Sequence, residues 1–267
     1  MCTIVVLRRT GHAWPVLVAA NRDERLDRPW DRPGRHWPDR PEVVAGLDRL
    51  AGGSWLGIND AGVVAAALNR QGTLGPEAGK RSRGELVLDA LDHADATDAA
   101  RALGALDPRA YRPFNIVVTD NRDAFLIAHR DAAGGADIAV DRLPEGLSMV
   151  TALDLNDPRS PRIALYRPRF LAASPPDPDR DDWSAWEALL ASREAGPEGS
   201  ERGALFIDPI PPGATGGFGT VSSSLIALPD RNRLDSKPIW RFVDGPPESW
   251  RWENVSLSDR PIPHPAN

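Results

Sequence analysis

The residues best suited to nucleophilic chemistry lie at the start of this 267-residue chain. Its single cysteine is Cys2, directly behind Met1. Small second residues permit removal of the initiator methionine, which would leave Cys2 with both a thiol and a free α-amine. An α-amine titrates near about pH 8 and can accept a proton at neutral pH. One terminal residue would then supply nucleophile and base, provided that a cation lowers the pKa of the thiol.

A predicted hairpin brings a second polar stretch back to this cysteine. The apolar runs 3–7 and 15–20 flank a turn-like RRTGHAW sequence. A turn around Gly11 and His12 pairs Thr3 with Ala20 and sets Cys2 opposite Asn21, so the Asn21-Arg22-Asp23-Glu24 run lies within reach of the thiol. A slip of one residue would change the faces but keep this neighbourhood. We expect Arg22 to lower the thiol pKa and Asp23 to accept a hydrogen bond from the α-ammonium.

Both features also have a purely structural interpretation. A lone Cys2 is commonly a small, buried and inert hydrophobe at the start of an edge strand. The polar run at 21–24, taken alone, is a solvated turn at the end of a strand. Their combination in one register favours the catalytic interpretation.

The elements that must position this site are strands at both ends of the chain and helices between them. Further strands are predicted at 43–45, 54–58, 63–68, 114–119, 124–129, 138–140, 146–152, 219–228 and 239–243. We expect residues 25–41, which are crowded with proline and arginine, to form a surface loop.

Two helices are predicted between these strands. Ser82-Arg83-Gly84-Glu85 fits a capping box and starts a helix that continues, with a break near Asp95, to about Leu106. The spacing of apolar residues at 183–190 marks a second helix. This arrangement predicts an α+β fold with mostly antiparallel sheets, in a single domain over residues 1–267.

Composition excludes several classes of function. A net charge of −6 argues against nucleic acid as a partner, because phosphate neutralisation needs a basic face. A single cysteine excludes an intrachain disulfide and a CxxC metal site, and the five histidines lack metal-ligand spacing. The chain has no apolar run of the roughly 20 residues that a membrane span requires, and Arg8 and Arg9 interrupt any signal peptide. We therefore expect a cytoplasmic protein with no metal and no membrane span.

The ANRDE sequence at 20–24, shortly after an N-terminal MCT, resembles the NRDE family, also called the transport and Golgi organisation 2 family. Further stretches occur in the family's order: GGSWLGIN at 52–59, GVVAAALNR at 62–70, SRGELV at 82–87 and GTVSSSLIAL at 219–228. The family is similar to the N-terminal nucleophile hydrolases and, more remotely, to choloylglycine hydrolases, which are amidases with an N-terminal cysteine. The resemblance implies a four-layer αββα sandwich.

The same resemblance implies a set of catalytic residues. Cys2 would be the nucleophile, Arg22 and Asp23 its activating pair, and Asn69 an oxyanion donor. A side-chain amide suits that last role because it can aim an N–H at developing negative charge. Asn69 is equally interpretable as a turn residue at the end of a strand.

We expect Asn21, Trp55 and Arg70 to bind the substrate. Trp55 lies in GGSWLGIN and could line a ligand cleft, although ordinary packing is the more common role for a tryptophan there. For an amidohydrolase of this kind we expect no cofactor.

Two positions depart from the family pattern. Met149 stands where many relatives carry asparagine, and Val221 stands where arginine is common. Two functions therefore stay open. The first is an N-terminal cysteine amidohydrolase that acts on the C–N amide bond of a small molecule. The second is a non-catalytic haem- or lipid-binding trafficking protein on the same fold, which would tolerate the loss of catalytic polar groups.

Overall fold

The computed structural model describes residues 2–132, 135–196, 203–209 and 217–258. Short runs of β-branched and small apolar residues form the strands. The described strands are β1 (Thr3–Arg8), β2 (Val16–Arg25), β3 (Trp30–Gly34), β4 (Val43–Asp48), β5 (Leu56–Asn59), β6 (Val64–Asn69), β7 (Phe114–Thr119), β8 (Ala124–Ala132), β9 (Gly135–Arg142), β10 (Gly146–Val150), β11 (Phe218–Leu228), β12 (Ile239–Asp244) and β13 (Glu253–Asn254). The α-helices are α1 (Arg83–Leu91), α2 (Ala96–Gly104), α3 (Pro161–Ala172) and α4 (Ser184–Leu190).

The strands form two sheets in which every described pairing of neighbouring strands is antiparallel. The first sheet has six strands in the order β10-β1-β2-β11-β12-β13, and the second has seven in the order β3-β4-β5-β6-β7-β8-β9. The first sheet thus joins both ends of the chain, because β11 lies beside β2, whose other neighbour is β1.

Three apolar clusters form the cores between the layers. Residues such as Ile4, Val18 and Leu68 form the core between the two sheets. A second cluster packs α1 and α2 on the outer face of the seven-stranded sheet, and a third packs α3 and α4 on the outer face of the six-stranded sheet. The predicted α+β fold, a four-layer αββα sandwich with antiparallel sheets, is confirmed.

The predicted register of the first hairpin is wrong by one residue. Thr3 pairs with Asn21 rather than with Ala20. The connection spans residues 9–15, is closed by a 2.8 Å hydrogen bond from Arg9 N–H to the Pro15 carbonyl, and is centred on His12. This shift matters for the site, because extending the pairing by one residue sets Cys2 level with Arg22.

The first two helices begin where the sequence predicts, with one difference in capping. The Ser82 hydroxyl accepts a hydrogen bond from Gly84 N–H at 3.2 Å, and Asp95 caps α2. Glu85 does not close a reciprocal capping box, since its carboxylate binds Arg81 at 2.9 Å.

Three of the described strands and α-helices were not predicted, and one of them is the two-residue strand β13. The stretch 25–41 is not all loop, because Trp30–Gly34 forms an edge strand, where the missing N–H of a proline is tolerated. Helix α3 also lacked a prediction because Pro168 lies inside it; its start is nevertheless marked by Ser160 at the cap and Pro161 in the first turn.

Candidate active site

The Cys2 thiol lies at the start of β1 and is partly buried against the core between the sheets. Its Sγ donates a hydrogen bond of 3.6 Å to the backbone carbonyl of Asp23. Burial raises the pKa of the thiol, and the negative charge of Asp23 raises it further. In the chain that retains Met1 the thiol is therefore protonated at neutral pH, contrary to the expectation of a lowered pKa.

The Arg22 guanidinium occupies the inter-sheet face of β2, the same face as Cys2. Its central carbon lies 3.8 Å from the ring centroid of Trp55 and 5.6 Å from that of Trp30. The two indoles meet edge to face at 5.6 Å. Trp55 from the second sheet therefore holds a cation that projects from the first, an arrangement that cation–π attraction stabilises in a desolvated site.

Arg22 retains hydrogen-bonding capacity in this position. Its Nη1 is buried and has no hydrogen-bond partner within the described part of the chain. Burial lowers the pKa of Arg22, while the charges of Glu24 and of the Cys2 thiolate form raise it. An unpaired buried donor is unfavourable, so Arg22 is suited to stabilise a negative charge that forms beside it.

The Asp23 side chain projects from the opposite face of β2, toward the helices. Its carboxylate accepts hydrogen bonds of 2.7 Å from the Thr220 hydroxyl and 2.8 Å from Arg162 Nη1. Arg162 also donates to the Thr3 hydroxyl at 2.8 Å, and both charged side chains are fully buried. Asp23 and Arg22 thus flank the strand on its two faces and do not form a pair side by side.

Asn21 is a tether in this fold, and its amide is not open to a ligand. Its Nδ2 donates to the carbonyls of Leu190 and Leu205 at 3.0 and 2.9 Å, and its Oδ1 accepts from the Ser223 hydroxyl at 2.7 Å. These contacts give the predicted role in substrate binding no support, because a buried amide with these partners has no exposed edge.

Asn69 and Arg70 lie at the end of β6 in the second sheet. Leu68 faces the inter-sheet core, so alternation directs Asn69 toward the helix side of its strand. No hydrogen bond joins the Asn69 amide to Cys2 among the described residues. Arg70 binds Asn115 at 2.8 Å and Asp154 at 2.9 Å.

Of the two departures from the family pattern, packing explains Met149, and nothing in the structure explains Val221. Met149 is fully buried in the cluster between the six-stranded sheet and its helices. Val221 lies at a register shift between Thr220 and Ser222, where β11 carries an irregularity against β2.

The site contains two residues that the sequence did not single out. Trp30 was placed in a predicted loop, and Arg162 follows the unpredicted start of α3. The Ser160-Pro161 pair is a helix-start signal that could have located α3, but nothing in the sequence indicates that Arg162 reaches Asp23.

Within the described ranges, no group of three or more histidine, cysteine, aspartate or glutamate side chains is placed to hold a metal ion. No helix among these residues combines the length and apolar character needed to cross a membrane.

Comparison with known proteins places the first part of the chain. Residues 1–161 match the profile of the family described as Transport and Golgi organisation 2. Mouse Transport and Golgi organization 2 homolog is 35% identical over 114 residues, and its bovine and human counterparts are 37% and 34% identical over the same length. These matches cover 41% of this chain and 40% of each of the mouse and bovine relatives.

Solved structures extend the likeness across the chain. A Caenorhabditis elegans N-acylethanolamine-hydrolyzing acid amidase ortholog superposes with a TM-score of 0.56 at 14% identity, covering 86% of this chain and 95% of that one. A cysteine-to-alanine mutant of Clostridium perfringens conjugated bile acid hydrolase gives 0.53 at 10% identity, covering 100% of this chain and 97% of that one. At such identities the likeness establishes the N-terminal nucleophile hydrolase fold.

Proposed function

The chain belongs to the Transport and Golgi organisation 2 family, and from this premise we propose that it is an N-terminal cysteine amidohydrolase acting on a small-molecule amide. One observation carries the proposal. The only thiol of the chain shares a strand end and a face with a buried arginine that is held by two tryptophans and has one donor without a partner among the described residues. A conserved fold alone would not require that combination.

The proposed reaction begins when loss of Met1 frees the α-amine of Cys2. The α-amine takes the thiol proton, and the thiolate attacks the amide carbonyl carbon to form a C–S bond. Arg22 stabilises the thiolate, and backbone N–H groups at the strand end stabilise the oxyanion. The α-ammonium then protonates the leaving nitrogen as the C–N bond breaks, and water hydrolyses the thioester to a carboxylate and the free thiol.

Asp23 would hold the α-ammonium in this scheme. The β1–β2 pairing brings the two backbones together at this strand end, and Cys2 Sγ lies 3.6 Å from the Asp23 carbonyl oxygen. Removal of Met1 would also change the charge that faces the thiol, because a free α-ammonium next to it favours the thiolate form. In the unprocessed protein, which retains Met1, the raised pKa therefore keeps the Cys2 thiol protonated and unreactive.

The first test is the mass of the mature N-terminus together with the reactivity of its thiol. Intact mass spectrometry of the natively expressed protein is expected to show loss of Met1. Iodoacetamide is then expected to label the processed protein rapidly at neutral pH, Cys2→Ser not at all, and Arg22→Ala at least about tenfold more slowly. Arg25→Ala is the matched control, since Arg25 ends the same strand but is exposed and paired with Asp27.

An intact Met1 in the native protein would refute the mechanism. Equal labelling of Arg22→Ala and the wild type would show that Arg22 does not activate the thiol.

A second candidate is a non-catalytic ligand-binding protein for haem or lipid. The observation that favours it is the raised pKa of the Cys2 thiol, which is typical of an inert buried cysteine. Haem titration of the purified protein tests it: a Soret shift that saturates at one equivalent supports haem binding, and an unchanged Soret band at micromolar protein excludes haem as the ligand.

A further inference from the structure

A cavity of about 360 Å³ lies where the connection after β6 meets the segment after β10. Arg70, Thr73, Arg112 and Ala152 contribute to its wall. The cavity does not include Asn21 or its hydrogen-bond partners, and it is partly open to solvent.

The strand register relates this cavity to the thiol. Ile4 pairs with Val150, and extending the β1–β10 pairing by two residues brings Cys2 level with Ala152. The Ala152 carbonyl accepts a 3.1 Å hydrogen bond from the backbone N–H of Gln71, which also lines the cavity. The wall residue Ala152 thus lies two residues beyond the last described pair of β1 and β10, in the direction of Cys2.

The cavity lining holds two arginines, Arg70 and Arg112, and one carboxylate, Glu77, so positive charge exceeds negative charge by one. Asp154 lies 2.9 Å from Arg70 and also 2.9 Å from Arg130, and Arg130 has a second carboxylate partner in Asp141 at 3.5 Å. Arg112 reaches the half-exposed Glu77 at 3.3 Å and otherwise donates to backbone carbonyls.

A further arginine, Arg83, contacts the wall residues from outside the cavity. Arg83 donates to the Thr73 carbonyl at 2.8 Å, to the Thr73 hydroxyl at 2.9 Å and to the Pro113 carbonyl at 3.2 Å. It has no carboxylate within salt-bridge distance among the residues that the structure describes. Burial lowers the pKa of Arg83 to about 10, and repulsion from Arg112 and Arg28 acts in the same direction.

An anion would relieve this excess of positive charge. Guanidinium groups present forked donors that match carboxylate and phosphate oxygens, and hydrogen bonds between ions are stronger than neutral ones. Arg70 and Arg112 are on the wall, where an entering anion would meet them, while Arg83 adds its field from behind.

We propose that this cavity binds an anionic group, a carboxylate or a phosphate, carried by the substrate whose amide is cleaved at Cys2. The proposal rests on the proposed amidohydrolase function and narrows its substrates to acidic amides. Arg70 and Arg112 are the residues that select for the negative charge.

Matched alkylating probes test the selection. N-(iodoacetyl)-β-alanine and its neutral primary amide carry the same reactive group and differ in one terminal charge. In the processed wild type the ratio of anionic to neutral labelling rates at Cys2 is expected to be at least about tenfold higher than in Arg112→Gln or Arg70→Gln. Arg109→Gln, which removes an exposed arginine outside the cavity wall, is expected to keep the wild-type ratio.

A binding measurement separates this proposal from the reaction at Cys2. Isothermal titration calorimetry with succinate and with inorganic phosphate is expected to give weaker binding in Arg112→Gln than in wild type and in Arg109→Gln, with circular dichroism to confirm folding. The tighter of the two anions identifies the group as carboxylate or phosphate. Binding that is absent in wild type, or equal in wild type and Arg112→Gln, would overturn the anion site.

The two proposals fail in different ways. If the neutral probe leaves Cys2 unlabelled while succinate or phosphate binds through Arg112, the amidohydrolase fails and the anion site stands. If Cys2 labels rapidly but the rate ratio is the same in all four proteins, the reaction stands and selection for acidic substrates is refuted.

Discussion

The two faces of strand β2 differ in how their buried polar side chains are bonded. On the helix side, Asn21 and Asp23 are buried and hydrogen-bonded by side chains and carbonyls from distant parts of the chain. On the inter-sheet side, Arg22 is also buried but rests on aromatic rings and keeps a donor unpaired. Consecutive residues of one motif therefore have different roles. Those on the helix side hold the strand in place, and Arg22 on the inter-sheet side presents a positive charge to the thiol.

The largest expected effect comes from breaking the helix-side face at its ion pair. Arg162→Leu leaves the Asp23 carboxylate buried without its cation, which is expected to lower the free energy of unfolding by about 3–5 kcal/mol. Urea unfolding followed by circular dichroism measures it. Arg169→Ala on the same helix removes an exposed partner of Glu194 and is expected to leave the unfolding midpoint nearly unchanged. Equal midpoints for both variants would show that the buried pair contributes nothing.

Removal of the Asn21 tether is expected to have the next largest effect. Asn21→Ala leaves two buried carbonyls and the Ser223 hydroxyl without this partner, at a cost of about 1–3 kcal/mol. Chemical denaturation measures the loss, and iodoacetamide labelling of Cys2 under native conditions is expected to keep its wild-type rate. A selective loss of labelling in a stable Asn21→Ala protein would instead assign Asn21 to the site.

The inter-sheet face can be tested by a double-mutant cycle. Arg22→Leu and Trp55→Leu, singly and together, are expected to give a coupling free energy of about 1–2 kcal/mol, because a desolvated cation lies 3.8 Å from the ring. Arg241 and Trp252, whose separation is 5.9 Å, form the control cycle and are expected to couple more weakly. Coupling no larger than in the control would mean that Trp55 does not hold Arg22.

The smallest expected effect is the pH dependence of the thiol itself. Its folded pKa lies above the ordinary value of 9.0, so the stability that it contributes is full below pH 9 and is lost as the pH rises through the folded pKa. In protein that retains Met1, the free energy of unfolding of wild type relative to Cys2→Ala is therefore expected to be constant at neutral pH and to fall in alkaline buffer. A difference that begins to fall below pH 8 would contradict the raised pKa.

Much of the fold could be predicted because it depends on local signals. The runs around Val5, Val18 and Ala65 alternate or stay apolar as buried strands do, and Ser82 and Asp95 mark the starts of α1 and α2. The edge strand at Trp30 and helix α3 were not predicted, because each contains a proline, which is a local signal against both strands and helices. Their stability comes from packing on a sheet that is assembled from distant segments.

The site was predicted in part for the same reason. Cys2 and Arg22 lie on the two strands of one hairpin, and their proximity follows from any short connection between them. The exact register could be read only from the structure, since a one-residue shift of the turn decides whether Arg22 or Asn21 shares the face of the thiol. Asn69 came from family resemblance and lies in the other sheet, so its relation to Cys2 depends on how the sheets stack.

The sequence by itself determined that a lone thiol and the Asn21–Glu24 run would meet at one end of a β-hairpin, and the family resemblance added the αββα fold. Hairpin closure and alternation are local properties that residue types and spacing specify, whereas the exact register depended on the folded turn. Only the tertiary structure decided that Trp55 would support Arg22, that Arg162 would neutralise Asp23, and that Arg70 and Arg112 would line one cavity. Those contacts join segments far apart in the chain, and their geometry is set by the packing of layers, which no local pattern encodes.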